Sequence, residues 1–441
     1  MVSNIEIVAK EVIKPSSPTP LHHNKNLKLS FLDQLSPPVY VTMIFFYEAS
    51  QLHGNSSSSY AQVSELLKKS LSNSLTRFYP LAGKIAEDFT IDCNDSGALY
   101  VEARVRCQLL QVVENPNMEE LREYLPFESK GQVESVKENV VLAIQINFFD
   151  CGGIAIGVQM FHRIGDGLSL VTFVKAWAAN CRGDDTILEY SNFGVANLFP
   201  PRDLSSIGLT QTRGVTAEKI VTKRIVFSKE KLANLKESAA SAPEAKVKDP
   251  TRVEVVTAWI WRHLLDIQST KVGTKTSLSA IHAVNLRHRM VPPLPDHAFA
   301  NLWAPAFAMP MSAGEHTNHY LVGELRSAIR NIDHNYLSKI CEDEYLNNLK
   351  ASQELFAKGE FQYCGFSSWC RFPVYEVDYG WGKPVWVCTT TLPFKNVVIL
   401  MSTRNGDGIE AWINILEDDD LIFQSYQQMD LSPVAGDLAN I

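Results

Sequence analysis

The stretch Met160-Phe161-His162-Arg163-Ile164-Gly165-Asp166-Gly167 decides how this chain reads. Upstream of it, Leu142, Ile144, Ile146 and Phe148 recur at the two-residue period of a strand. After the turn Asp150-Cys151-Gly152-Gly153, the residues Ile154, Ile156, Val158 and Met160 alternate again, which predicts the second arm of a hairpin. His162 therefore falls just past a strand end. Leu168 to Cys181 predicts a largely apolar helix closed by Arg182-Gly183. A strand end followed by a helix start presents a side chain on a firm scaffold. The unperturbed pKa of histidine lies near neutrality, so His162 reads either as a general base or as a buried structural residue. Asp166, four positions on, has two readings from the residues alone: it orients the imidazole as the acid of a triad does, or it caps the helix. Gly165 and Gly167 fit a tight turn with little room around the histidine.

A second signal lies more than two hundred residues later, in Asp378-Tyr379-Gly380-Trp381-Gly382-Lys383-Pro384, where two glycines bracket a tryptophan behind an acid. In this order and in a chain of 441 residues, the two motifs resemble the plant BAHD acyltransferase family, whose members move an acyl group from coenzyme A to an alcohol or amine. Shorter segments fall in the family's order along nearly the whole chain. They include Leu29-Ser30-Phe31-Leu32-Asp33-Gln34-Leu35, Phe78-Tyr79-Pro80-Leu81-Ala82-Gly83-Lys84, Asn285-Leu286-Arg287, Ser367-Ser368-Trp369 and Gly406-Asp407-Gly408-Ile409-Glu410-Ala411-Trp412. Cys93-Asn94-Asp95-Ser96-Gly97, Cys151-Gly152-Gly153 and Cys388-Thr389-Thr390-Thr391 look most like the family's alkaloid-acetylating branch.

The resemblance implies an α/β fold of two similar chloramphenicol-acetyltransferase-like domains, each with a mixed sheet flanked by helices. The expected division is residues 1–195 carrying His162, a crossover loop at 196–216 marked by Pro200-Pro201, Gly208 and Gly214, and residues 217–441. A segment near 377–401 is expected to pack with the first domain. The resemblance also assigns roles. His162 is the base. Asp166 turns from it to pair with Arg287 and brace the loop. Ser367 and Trp369 lie at the oxyanion and acyl site. Asp378 is either a proton-transfer residue or, as the family suggests, a support of the fold near the coenzyme, with Gly380 and Trp381 beside it. Three departures stand out: Tyr379 replaces the usual Phe, Ser367 the usual Thr, and Ala300 the usual Gly before Asn301. The last puts close backbone packing at that point in question.

Composition sets the outer bounds. A hydrophobic content of 45% with 20% charged residues is that of a globular protein. The net charge of −8 argues against nucleic acid or anionic membrane as main partner. No run reaches the length of a membrane span, the start lacks a secretory pattern, and eight cysteines form no C-x-x-C pair. A cytosolic monomer with reduced thiols is expected. No metal site is expected: His22-His23 and His316-Thr317-Asn318-His319 lack a third ligand at metal spacing and read as solvated loop residues. The run Glu417-Asp418-Asp419-Asp420 reads as an acidic helix start. No permanently bound cofactor is expected; acetyl-CoA or another acyl-CoA serves as co-substrate beside a small-molecule acceptor. Its phosphates need cations, and Arg252 in the first turn of a helix opened by the Thr251/Glu254 capping box, with the pair Lys223-Arg224, are the candidates.

The leading functional reading is acyl transfer, most simply acetyl, to a hydroxyl of an alkaloid or similar polycyclic metabolite. N-acylation and a malonyl donor are alternatives on the same scaffold. A carrier-dependent condensation domain shares a His-His-x-x-x-Asp-Gly pattern, but Phe161 stands at its first His. A non-catalytic binding protein is disfavoured by the intact His162, Asp166 and Ser367. The segment around His162 offers no Ser or Cys at a nucleophile's spacing, so transfer without an acyl-enzyme is expected.

Overall fold

The computed structural model describes residues 4–20, 25–49, 60–86, 89–127, 140–184, 193–204, 218–272, 278–310, 316–358 and 362–431. Its contacts divide the chain into two compact units. The first comprises Met1–Arg213, Asn285–Trp303 and Trp369–Thr391, and the second Gly214–Val284, Ala304–Ser368 and Leu392–Ile441. One segment of the second half, near 377–401, was expected with the first domain. Two pieces of the second half return to the first unit, and the expected segment 377–401 is split at Thr391. Most of the expected crossover, residues 205–216, lies outside the described residues.

The first unit is built on a six-stranded mixed sheet. Its order is Ile5–Ile13, Ala98–Val105, Leu142–Phe149, Ile154–Phe161, Tyr40–Tyr47 and Trp386–Cys388. Only Ala98–Val105 and Leu142–Phe149 run parallel; the other neighbours are antiparallel. The three strands around the hairpin are buried at every position, which is why their sequences are apolar on both faces. The polar exceptions are satisfied. Gln159 accepts from Phe127 N and donates to Phe127 O, and Asn147 donates to Tyr124 O, so these amides fasten a covering segment to the sheet. Helix Tyr60–Arg77 matches the apolar three- and four-residue spacing of its sequence and buries Val63, Leu67, Leu71 and Leu75. Helix Gly167–Cys181 packs beside it, and its fully buried Trp177 donates Nε1–H to Leu67 O and Ser70 Oγ. Burial of such a ring contributes at most about 4–6 kcal/mol.

The second unit repeats this logic. Its sheet runs Trp303–Ala308, Leu278–Asn285, Gln362–Ser368, Val397–Ser402, Ile409–Leu416 and Ile220–Phe227. Here too a hairpin (Val397–Ser402 with Ile409–Leu416) has a parallel neighbour on its first arm and an antiparallel one on its second. Here too the second arm ends in a 3-10 turn and a helix: Glu417–Asp419 then Asp420–Leu431, as His162–Ile164 then Gly167–Cys181 in the first unit. The turn that carries a histidine in one copy carries acids in the other. Two acids of the turn and the first of the helix pair with lysines: Glu417 with Lys219, Asp419 with Lys271 and Asp420 with Lys223.

Candidate active site

His162 begins the 3-10 turn at the end of strand Ile154–Phe161, and its backbone N–H donates to Val39 O at 2.8 Å. Its imidazole Nδ1 lies 2.9 Å from Asn301 Oδ1. The neighbours of that amide fix the proton positions. Asn301 Nδ2 donates to His162 O at 2.6 Å and to Asp33 Oδ1 at 2.9 Å, both obligate acceptors here. The nitrogen end of the amide must therefore face away from the imidazole, and Oδ1 must face it. Nδ1 then carries the proton and Nε2 the lone pair. Burial holds the His162 pKa below its ordinary value, against smaller opposing contributions from its own backbone, Asp166 and Asn301. The imidazole is neutral at pH 7, with Nε2 free to accept a proton.

Asp166 does not orient that ring. Its carboxylate accepts from Arg287 Nη1 at 2.8 Å and Nη2 at 3.1 Å, from Leu302 N at 3.1 Å and from Ser169 N at 2.9 Å. Both sequence readings other than the triad thus hold together: Asp166 caps helix Gly167–Cys181 and pairs with Arg287. Burial would raise its pKa, but Arg287 and the backbone donors overcome this and hold it below the usual carboxylate range. Arg287 is 1% exposed and also donates to Ala298 O, Ala300 O and Ser169 Oγ. Ala300 fits where a glycine was expected: its methyl is buried, and its N–H and C=O both engage Ser169 Oγ. Gly167 is a matter of space. A Cβ there would stand 3.0 Å from the Phe372 ring and 3.2 Å from the Trp369 indole, which places Trp369 against the histidine loop.

Asp378 is a loop builder. Its Oδ1 accepts from Gly380 N at 2.8 Å and Gly382 N at 2.9 Å, while its backbone carbonyl accepts from Arg182. Gly380 and Gly382 sit at φ of 108° and 107°, a region costly for any residue with a Cβ. The turn stacks Trp381 on Tyr379 with ring centres 5.3 Å apart, and Tyr379 lies edge-on to Trp177 at 5.0 Å. The extra hydroxyl of Tyr379 is buried without a hydrogen-bond partner among the described residues.

The remaining candidates lie in the second unit. Ser367 is the penultimate residue of strand Gln362–Ser368, opposite Ile399. Lys223 is paired with Asp420 at 2.7 Å and Arg224 Nε with the buried Glu410 at 2.7 Å. Arg252 opens helix Arg252–Val272, behind the predicted Thr251/Glu254 box, and gives one N–H to Gly406 O. Of the suspected histidines, His22-His23 lie outside the described residues. His319 is not a solvated loop residue: it stands in the first turn of helix Asn318–Arg330, 3.2 Å from Glu244. Among the described residues, no cluster of three or more His, Cys, Asp or Glu could hold a metal, and no helix is long and apolar enough to cross a membrane.

Two residues of the site were not singled out from the sequence. Asn301 was noticed only for the alanine before it, and Asp33 only as part of an opening segment. They stand 139 and 129 positions from His162, the second figure being 162 − 33, and no spacing rule connects such distances.

Comparison with known proteins identifies the family. The family model described as Transferase matches residues 3–429. The chain is 43% identical to stemmadenine O-acetyltransferase of Catharanthus roseus over 95% of this chain and 96% of that protein. It is also 43% identical to vinorine synthase of Rauvolfia serpentina, again over 95% and 96%. The crystal structure of vinorine synthase superposes with a TM-score of 0.82, covering 95% of this chain and 96% of that one. F. graminearum TRI101, solved with coenzyme A and T-2 mycotoxin, shares the fold at 17% identity, with a TM-score of 0.70 over 92% of this chain and 97% of that one. On these matches the chain belongs to the Transferase family of BAHD acyltransferases, and it is an acyl-CoA acyltransferase.

Proposed function

We propose that this protein transfers an acetyl group from acetyl-CoA to a hydroxyl of a polycyclic plant alkaloid, by direct attack with His162 as general base. The observation that carries the mechanism is the proton arrangement at His162: Asn301 accepts at Nδ1, leaving the Nε2 lone pair for the incoming hydroxyl. As the acceptor oxygen attacks the thioester carbonyl, its proton passes to Nε2. The tetrahedral intermediate collapses with loss of the coenzyme thiolate, which takes the proton back. The lowered pKa of His162 keeps the imidazole neutral for the first step and makes it a willing donor in the second. Ser367 is proposed to donate its hydroxyl to the oxyanion. Arg252, in the first turn of helix Arg252–Val272, is proposed to meet the coenzyme phosphates, with Lys223 and Arg224 as further candidates. The acetyl donor and alkaloid acceptor rest on the relatives named for O-acetylation of stemmadenine and for vinorine synthesis. The protein is proposed to act as a cytosolic monomer.

Mass spectrometry of products from purified enzyme, offered a panel of indole-alkaloid alcohols with acetyl-, malonyl- and benzoyl-CoA, tests this reading. One acetylated alcohol is expected, with no change in protein mass after incubation with acetyl-CoA alone. An N-acylated product, a preferred malonyl donor or a protein heavier by one acyl group would overturn the corresponding part.

A further inference from the structure

We infer that Asp33 is a positioning residue for His162, acting through the side-chain amide of Asn301; this rests on His162 being the base proposed above. Asp33 lies in the short helix Phe31–Leu35, and at first sight it serves only the capping box of that helix. That box uses one oxygen. Oδ2 accepts from Ser30 N at 2.9 Å and from Ser30 Oγ at 2.6 Å. The Ser30 hydroxyl accepts in turn from Asp33 N, so its single proton points at the carboxylate. Oδ1 is given instead to a residue 268 positions away, accepting from Asn301 N at 2.8 Å and Nδ2 at 2.9 Å. All four neighbours donate, and the side chain is buried, so an ionised carboxylate fits this pocket and an amide does not.

Asp33→Asn makes this explicit. With its Oδ1 kept on the Ser30 N–H, the new side chain sets its NH2 against two donors of Asn301. The Asn301 backbone N–H cannot move far, but its side-chain amide can turn over, trading its Nδ2 bond to His162 O for one in which Oδ1 accepts from the new NH2. Turned, it presents Nδ2 to His162 Nδ1, which must become an acceptor. The imidazole stays neutral, its proton moves to Nε2, and the lone pair that should receive the substrate proton is lost. No charge changes at the histidine; only the tautomer does.

The test is 15N NMR of histidine-labelled protein without substrate, with His162→Ala to assign the resonance. Wild type is expected to show His162 protonated at Nδ1 with an unprotonated Nε2. Asp33→Asn is expected to show the opposite tautomer, with kcat reduced about 10²- to 10⁴-fold and KM for acetyl-CoA within twofold. Ser30→Ala serves as the structural control. It weakens the same helix cap but leaves Oδ1 on Asn301, so melting should fall while the His162 tautomer and kcat stay as in wild type. An Nε2-protonated His162 in wild type overturns the inference, whether or not the Asp33 variant folds. Loss of turnover in Asp33→Asn with an unchanged tautomer overturns it equally. Full turnover of His162→Ala would instead remove the base reading beneath it.

Discussion

Replacing Asp166 by Asn separates a brace from a triad acid, and the structure fixes the size of the effect. Each oxygen of Asp166 accepts from one Arg287 nitrogen and one backbone N–H: Oδ2 from Nη1 and Leu302 N, Oδ1 from Nη2 and Ser169 N. Whichever way an amide is placed, its NH2 end faces two donors. One charge-assisted bond and one backbone bond are lost, and a guanidinium that is 1% exposed is left without its counter-charge. Breaking a buried ion pair on one side costs about 3–5 kcal/mol. For a unit of roughly this size each kcal/mol lowers the melting temperature by about 2–4 °C, so a fall of about 6–20 °C is expected. The sign with pH is also fixed. The folded pKa of Asp166 is depressed, so its contribution is fully present above the unfolded value of about 3.9 and is lost as pH falls through the folded value. The gap between wild type and variant should therefore persist at every pH above about 5. Thermal unfolding followed by circular dichroism at pH 7, with the soluble yield, measures it. A variant that melts with wild type yet shows a displaced pH–rate profile would refute the reasoning and return Asp166 to the imidazole.

Three further outcomes follow from named contacts. Tyr379→Phe removes a buried hydroxyl that has no partner among the described residues, so unfolding in urea should show no loss and a gain of up to about 1 kcal/mol; a loss above 1 kcal/mol would mean the hydroxyl is satisfied. In a pH–rate profile, kcat/KM should rise with pH through a pKa below 6.5 and be flat at neutrality, because burial favours the neutral imidazole. A rise centred above 7 would show the opposite shift. Arg252→Ala should weaken coenzyme A binding and flatten its dependence on ionic strength, as read by calorimetry at two salt concentrations, whereas an unchanged affinity would assign the phosphates to other residues.

What the sequence made legible was local. The alternation of Leu142 to Phe148 and Ile154 to Met160 placed the hairpin and the histidine after it, because a two-residue period needs no knowledge of the partner strand. The Thr251/Glu254 box was equally readable from spacing. The Asp166–Arg287 pair spans 121 positions and came from family resemblance rather than from any pattern. The Asp33–Asn301–His162 arrangement was not legible, since each bond joins segments that meet only after the chain has returned from one unit to the other. The partners of the candidate cations were hidden for the same reason. Lys223 and Arg224 look free in the sequence, but strand pairing sets Arg224 opposite Trp412 and brings Glu410 diagonally alongside it. Charge in a sequence is a count; its availability depends on what the fold sets beside it.

The most direct test of the account is turnover of His162→Ala, with coenzyme A affinity measured on the same preparation. A base that moves one proton in the transition state contributes about 10²- to 10⁴-fold, so kcat should fall by that factor while coenzyme affinity stays within about twofold. Turnover within a few fold of wild type would contradict the central claim that His162 Nε2 takes the proton of the acceptor.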